Sequence, residues 1–301
     1  MPDPAAVSSP SLPLTLLYGV LGAVAVSLGK GLQKYGVDVL GPRALAAGNR
    51  WKFFVWCLGT AGIVSSAFFV FAACAHGPLT IVGALSGTGL CALVLFTTLV
   101  LKEPIGRSEQ LGIAAIIVGT GIAGYFDGAP GAASLQLANP AKEAFDSGHT
   151  IGLCVAVVAL SVAAAVWSWR RNFAHFGLIF GSISGLCGGI SVFFQKGAVL
   201  YCHCGDVFDD IPAALRNPFF YLFALTGILD FVVTQYALTR AKAVTVVPCY
   251  QTFYMLVPIV GGVLAFHDAI NVLQLGGIAL LVCGVVLLSL HIGKDAVPEP
   301  A

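Results

Sequence analysis

The sequence predicts an all-α integral membrane protein with about nine transmembrane helices arranged as two inverted-topology repeats. Three observations carry the prediction: a charge-poor apolar composition, lysine and arginine gathered on alternate loops, and one apolar helix written twice.

Of 301 residues, 58% are hydrophobic and only 10% charged, and the mean hydropathy is +0.92. A soluble domain carries roughly 25% charged residues to cover its core. Here the charges cluster between long apolar runs, so the bilayer is the expected solvent.

Nine apolar runs have the length a helix needs to cross about 30 Å of hydrocarbon. They lie near 14–33, 53–75, 79–101, 109–126, 150–169, 174–199, 218–239, 243–266 and 271–291. The first is not read as a cleaved signal peptide, because nothing before Lys30 is basic and the run exceeds an ordinary signal core.

Numbered from the amino end, the loops after the odd spans and the carboxyl tail hold Lys34, Arg43, Arg50, Lys52, Lys102, Arg107, Arg170, Arg171, Arg240, Lys242 and Lys294. The opposite side holds Lys142 and Arg216. Positive charge resists translocation, so the amino terminus is expected outside and the carboxyl terminus in the cytoplasm. The outer side then carries eight acids, Asp3, Asp127, Glu143, Asp146, Asp206, Asp209, Asp210 and Asp268, and a negative field.

The segment "EQLGIAAIIVGTGIAGY", 109–125, returns as "LQLGGIALLVCGVVLLS", 273–289. At an offset of 164, Gln110-Leu111-Gly112 falls on Gln274-Leu275-Gly276, and at 165 "TIV", 80–82, falls on "TVV", 245–247. "KEPI", 102–105, lies on "HDAI", 267–270, and "LQK", 32–34, resembles "FQK", 194–196. An odd number of spans separates the copies, which turns the second half upside down. Inverted repeats of this kind build secondary transporters, whose two halves expose one central site alternately to either side.

The expected organisation is an external tail at 1–13, a first repeat of four helices at 14–126, and an external loop with a linking fifth helix at 127–173. The inverted second repeat spans 174–291, with a cytoplasmic tail at 292–301. Gly177, Gly181, Gly185 and Gly189 recur every fourth residue, as do Gly19, Ala23, Ser27 and Gly31. Small residues at that spacing let helix backbones approach closely in lipid.

The two-half pattern, with "VLKEP" closing the third span and an "LGIAxIxxG" helix after it, resembles the EamA-type members of the drug/metabolite transporter superfamily. "LQKYG" at 32–36, "PLTIVGALS" at 78–86 and "VTVVPCYQTFY" at 244–254 are similar to the NIPA-like branch, which implies magnesium transport as an alternative. Gly83 stands where that branch favours proline, and Asp230 where it favours glutamine.

In such folds the site lies near the midplane, where corresponding helices are weakened by glycine or proline. The third span offers Gly83, Gly87 and Gly89 around Ser86 and Thr88; the eighth offers Pro248 and Pro258 around Tyr250, Gln251 and Tyr254. Tyr250 and Tyr254 are four apart and share a helix face. Aromatics in spans also serve as core or interfacial belt. Asp230 lies about twelve residues into the seventh span, roughly 18 Å deep, where a charge is costly and marks a pathway. It is read either as the binder of a cationic substrate or coupling proton, or as a structural partner of Lys30 or Thr234. Lys30 and Lys196 are expected to snorkel from their spans, and Glu103 and Asp268 to cap the helices that follow them.

Most of the nine cysteines sit within spans as small apolar residues. The loop "YCHCGDVFDD", 201–210, offers Cys202, His203 and Cys204 as weak soft-metal candidates, with Cys74 and His76 on the same side, but no zinc-type spacing is met, so no metal site is assigned. No phosphate-cradling loop, nucleophile with base, or basic nucleic-acid face is present, so neither an enzyme nor a cofactor nor a nucleic-acid partner is expected.

The leading expectation is a secondary transporter of a small metabolite, amine or amino-acid-like solute in the plasma membrane or bacterial inner membrane, with homodimerisation open to it. A NIPA-like divalent-cation carrier is one alternative; a non-transporting membrane scaffold on a transporter fold is another.

Overall fold

The computed structural model describes residues 11–36, 50–90, 92, 107–125, 148–173, 175–202, 216–241, 243–266, 268 and 271–292. Nearly all of these are helical and no strand occurs among them. The helices are α1 (Leu12–Gly36), α2 (Arg50–His76), α3 (Leu79–Leu85), α4 (Arg107–Tyr125), α5 (Gly148–Arg170), α6 (Phe176–Cys202), α7 (Pro218–Arg240), α8 (Ala243–Ala265) and α9 (Val272–Ile292). Among the described residues, six helices, namely α1, α2, α5, α6, α7 and α8, are long and apolar enough to cross a bilayer. The chain is an all-α membrane protein.

The surface is apolar where a soluble protein would be polar. α5 leaves Ile151, Val155, Val158, Leu160 and Val162 exposed, a lipid-facing stripe that water would not tolerate. Trp51 at the start of α2 and Trp167 and Trp169 at the end of α5 are exposed beside Arg50, Arg170 and Arg171, the aromatic–basic pairing of a membrane interface.

α1 packs along α2, α6 along both α7 and α8, α4 against α9, and α3 against α8, while α5 rides on the outside of α6. The small-residue stripes make these approaches possible. A Cβ added at Gly181 would lie 2.7 Å from the Val246 carbonyl, one at Gly189 would lie 2.8 Å from the Phe253 carbonyl, and one at Gly185 would strike the Tyr250 carbonyl. The α6 backbone therefore rests directly on the α8 backbone. The α1 stripe meets the third helix in the same manner: a Cβ at Gly19 would lie 2.6 Å from the Leu85 side chain, and one at Gly89 would strike the Ala23 carbonyl and the Ser27 hydroxyl.

The glycines around Ser86 and Thr88 act as expected, for α3 ends there and tightens into a 3₁₀ turn over Ser86–Thr88. The prolines of the eighth span do not. α8 runs unbroken through Pro248 and Pro258. Thr252 bonds its hydroxyl back to the Pro248 carbonyl at 2.8 Å, one turn earlier in the same helix.

The expected cap at Asp268 is also corrected. Its carboxylate accepts the Thr80 N–H at 3.1 Å and so caps α3. α9 is capped instead by Asn271 and Gln274: Asn271 N–H donates to Gln274 Oε1 at 2.8 Å, while Leu273 N–H reaches Asn271 Oδ1 at 3.5 Å. Glu103, both chain tails and the loop at 127–147 lie outside the described residues.

Candidate functional site

The site is built around Asp230 on α7. Its Oδ1 accepts the Ser184 hydroxyl at 2.8 Å, the Thr234 hydroxyl at 3.0 Å and the Lys30 ammonium at 3.5 Å. Oδ2 accepts the Tyr250 phenol at 3.3 Å. Thr234 stands one turn beyond Asp230 on the same helix face, so the two reach a common point. α1 supplies Lys30, α6 Ser184 and α8 Tyr250, so four helices converge on one carboxylate.

Lys30 is the surprise of scale. Its side chain is 2% exposed and that of Asp230 14%. The ammonium also donates to the Thr234 hydroxyl at 3.2 Å and lies 2.9 Å from the Tyr250 ring centroid. Lys30 does not snorkel, because a carboxylate, a hydroxyl and a ring face replace water within the bundle. Tyr250 and Tyr254 stack with centroids 5.1 Å apart, the shared face that their spacing implies. A Cβ at Gly188 would stand 2.8 Å from the Tyr254 ring, 2.9 Å from the Tyr250 hydroxyl and 3.0 Å from Asp230 Oδ2. Only glycine leaves this cluster room.

Ser86, Thr88 and Gln251 are placed differently. Ser86 and Thr88 donate their hydroxyls to the Gly83 and Leu85 carbonyls at 2.6 and 2.7 Å and so serve their own turn. The Gln251 amide donates to the Ser86 carbonyl, tying α8 to the 3₁₀ turn, while its buried Oε1 has no hydrogen-bond partner among the described residues. Ser86 and Tyr254 nevertheless share a small cavity with Gly19, Ala23, Val192 and Pro258, between α1, α3, α6 and α8. Tyr254 thus belongs to both the cavity wall and the charged cluster.

Two further lysines reach backbone. Lys34 Nζ donates to the Leu238 and Ala241 carbonyls, each at 2.8 Å, at the end of α7. Lys196 Nζ donates to the Cys74 and Gly77 carbonyls at 2.7 and 2.9 Å, at the end of α2. Helix C-termini present unpaired carbonyls and a partial negative charge, which an ammonium completes, so Lys196 is held inside and does not snorkel.

The metal candidates are not assembled in the described part of the chain. Cys202 ends α6, and His203 and Cys204 lie outside the described residues. Cys74 is buried, and His76 stacks on Tyr18 with centroids 6.1 Å apart. Among the described residues no group of three or more His, Cys, Asp or Glu side chains could hold a metal ion.

Ser184 and Gly188 are the site residues that sequence reasoning missed. Both flank Gly185 within the small-residue helix, and the signal was a serine and an extra glycine inside a stripe read only as packing. Comparison with protein-family models, with characterised proteins and with solved structures gives no match to this chain.

Proposed function

We propose that the chain is a secondary carrier of a small solute, working by alternating access between two inverted halves, residues 14–126 and 174–291, as the EamA-type resemblance implies. α3, α4 and α9 complete nine spans in this reading, and the amino terminus faces outward from a plasma or bacterial inner membrane.

The observation that supports it most is the pair of lysine caps. Leu238 and Ala241 lie 164 positions after Cys74 and Gly77, the offset at which the terminal helices of the halves align. Lys34 and Lys196 close the two "QK" motifs. The first helix of each half thus grips the end of the second helix of the other. The grips lie at opposite ends of α2, roughly 30 Å apart at 1.5 Å per residue. Two equivalent latches on opposite faces, around a cavity lined by both halves, are the parts that alternating access requires. A scaffold has no use for them in duplicate.

The divalent-cation alternative is weaker, because Asp230 brings one carboxylate to the site and, among the described residues, no group of three or more His, Cys, Asp or Glu side chains joins to hold a metal ion. One carboxylate balances a single positive charge, which suits a monocation and leaves a dication half neutralised.

The test uses a single cysteine at Val192, in the cavity wall, in an otherwise cysteine-free protein reconstituted in liposomes. K34Q should raise its labelling by an impermeant maleimide from the α1 C-terminal side, and K196Q from the opposite side. Labelling from neither face in both variants would overturn the carrier reading.

A further inference from the structure

We propose that the Lys30 ammonium is a tethered stand-in for a primary organic amine, which displaces it from Asp230 during transport. The proposal rests on the carrier reading and names its substrate class. An ammonium ligand calls for a carboxylate, a neutral oxygen acceptor and an aromatic face. Asp230, Thr234 and Tyr250 supply all three, and Lys30 now occupies them.

The contact that the substrate would replace is a long one. The 3.5 Å separation of Lys30 from Asp230 Oδ1 exceeds the roughly 2.7–2.9 Å of a tight charge-assisted bond. The carboxylate also accepts hydroxyls from Ser184, Thr234 and Tyr250, so it stays hydrogen-bonded when the lysine leaves.

There is also somewhere for both cations to go. Gly19, Ala23, Ser27 and Lys30 follow one face of α1, and the first two line the cavity that Tyr254 joins to the cluster. On that face Ser27 Oγ is buried and has no partner among the described residues. Lys30 is six residues from the end of α1, roughly 9 Å, within reach of the interface for a displaced side chain. Loaded, the centre is a carboxylate with the substrate's ammonium; empty, it is a carboxylate with Lys30. The centre itself is neutral in either state, so an empty carrier can reorient; in the loaded state the displaced Lys30 carries its own charge to the interface.

The experiment is chemical rescue. Lysine beyond its Cβ is a propylammonium, so n-propylammonium chloride should raise the melting temperature of K30A in detergent by several degrees over sodium chloride at equal ionic strength. n-Propanol should not, and K30A/D230N should show no response. If K30A folds only with the amine present, purification in n-propylammonium followed by exchange into sodium chloride reads the same effect as loss of fold. Equal stability in both salts, or equal rescue of K30A/D230N, overturns the amine assignment. The cavity cysteine tests the carrier separately: alternating labelling without rescue sinks this inference and spares the carrier, whereas labelling from neither face sinks the carrier itself.

Discussion

Lys34 and Lys196 do the same work at opposite ends of the bundle, whereas Lys30 and Asp230 have no counterparts. At the offsets that align the two lysine caps, the position matching Lys30 holds Val192 and that matching Asp230 holds Ser66. Val192 lines the cavity, and the Ser66 hydroxyl is spent on the Ile63 carbonyl at 2.6 Å. The duplicated features are therefore backbone grips and small-residue seams, which in the proposed carrier are the parts that move against one another. The unduplicated features are charges, which in the proposed carrier form the binding site. In a carrier with two inverted halves, the moving parts must come in pairs because each side of the membrane needs its own, but one solute needs one site.

The sharpest way to break the comparison is to remove half of the ion pair. Lys30→Met leaves a carboxylate inside the bundle with hydroxyls but no countercharge. Breaking a buried pair in this way costs about 3–5 kcal/mol. K30M/D230N restores neutrality and should recover most of that loss in chemical denaturation of the detergent-solubilised protein. If K30M alone is as stable as wild type, Asp230 does not depend on Lys30, and the contrast between paired latches and a single charged site fails.

The seams give a smaller effect, and a symmetric one. Alanine at Gly185 would press on the Tyr250 carbonyl, and alanine at Gly89 on the Ala23 carbonyl and Ser27 hydroxyl. Each should cost about 1–3 kcal/mol by overpacking. Gly152 on α5 has open space around its Cβ position, so G152A should be neutral or stabilising by up to about 1 kcal/mol. A large loss in only one of the two seam variants would show that the halves do not pack equivalently.

Much of this was legible in the sequence, and the limits are physical. Composition and run length carry the membrane assignment, because the bilayer fixes both. The four-residue spacing that places Tyr250 over Tyr254, and the glycines that tighten the chain at Ser86–Thr88, are local and can be read within one helix. What crosses between helices could not be read. Lys34 and Lys196 stand in look-alike motifs, but nothing in a linear pattern says which carbonyls they meet. Ser184 and Gly188 sit in a stripe whose packing role hid a second one. Pro248 and Pro258 were read as weak points of the eighth span, and α8 stays continuous through both.

The smallest test concerns Asp268, which binds the α3 N-terminus across the bundle instead of its own helix. Alanine there removes a cap and should lower stability by about 1 kcal/mol. Asparagine keeps an oxygen for the Thr80 N–H and should retain most of it. The two differ in their response to pH. Burial raises the Asp268 carboxyl above its ordinary 3.8, more than the Thr80 N–H and the nearby Lys196 ammonium lower it. The folded protein then holds a proton that the unfolded chain has released, so this group's contribution to stability falls as pH rises from 3.8 toward the higher folded value. D268N has no such proton, and its stability should fall less than that of wild type across the same window in detergent. A parallel pH dependence in the two proteins would mean that Asp268 pays no burial cost, and that the charge on the α3 cap is as well solvated as one on the surface.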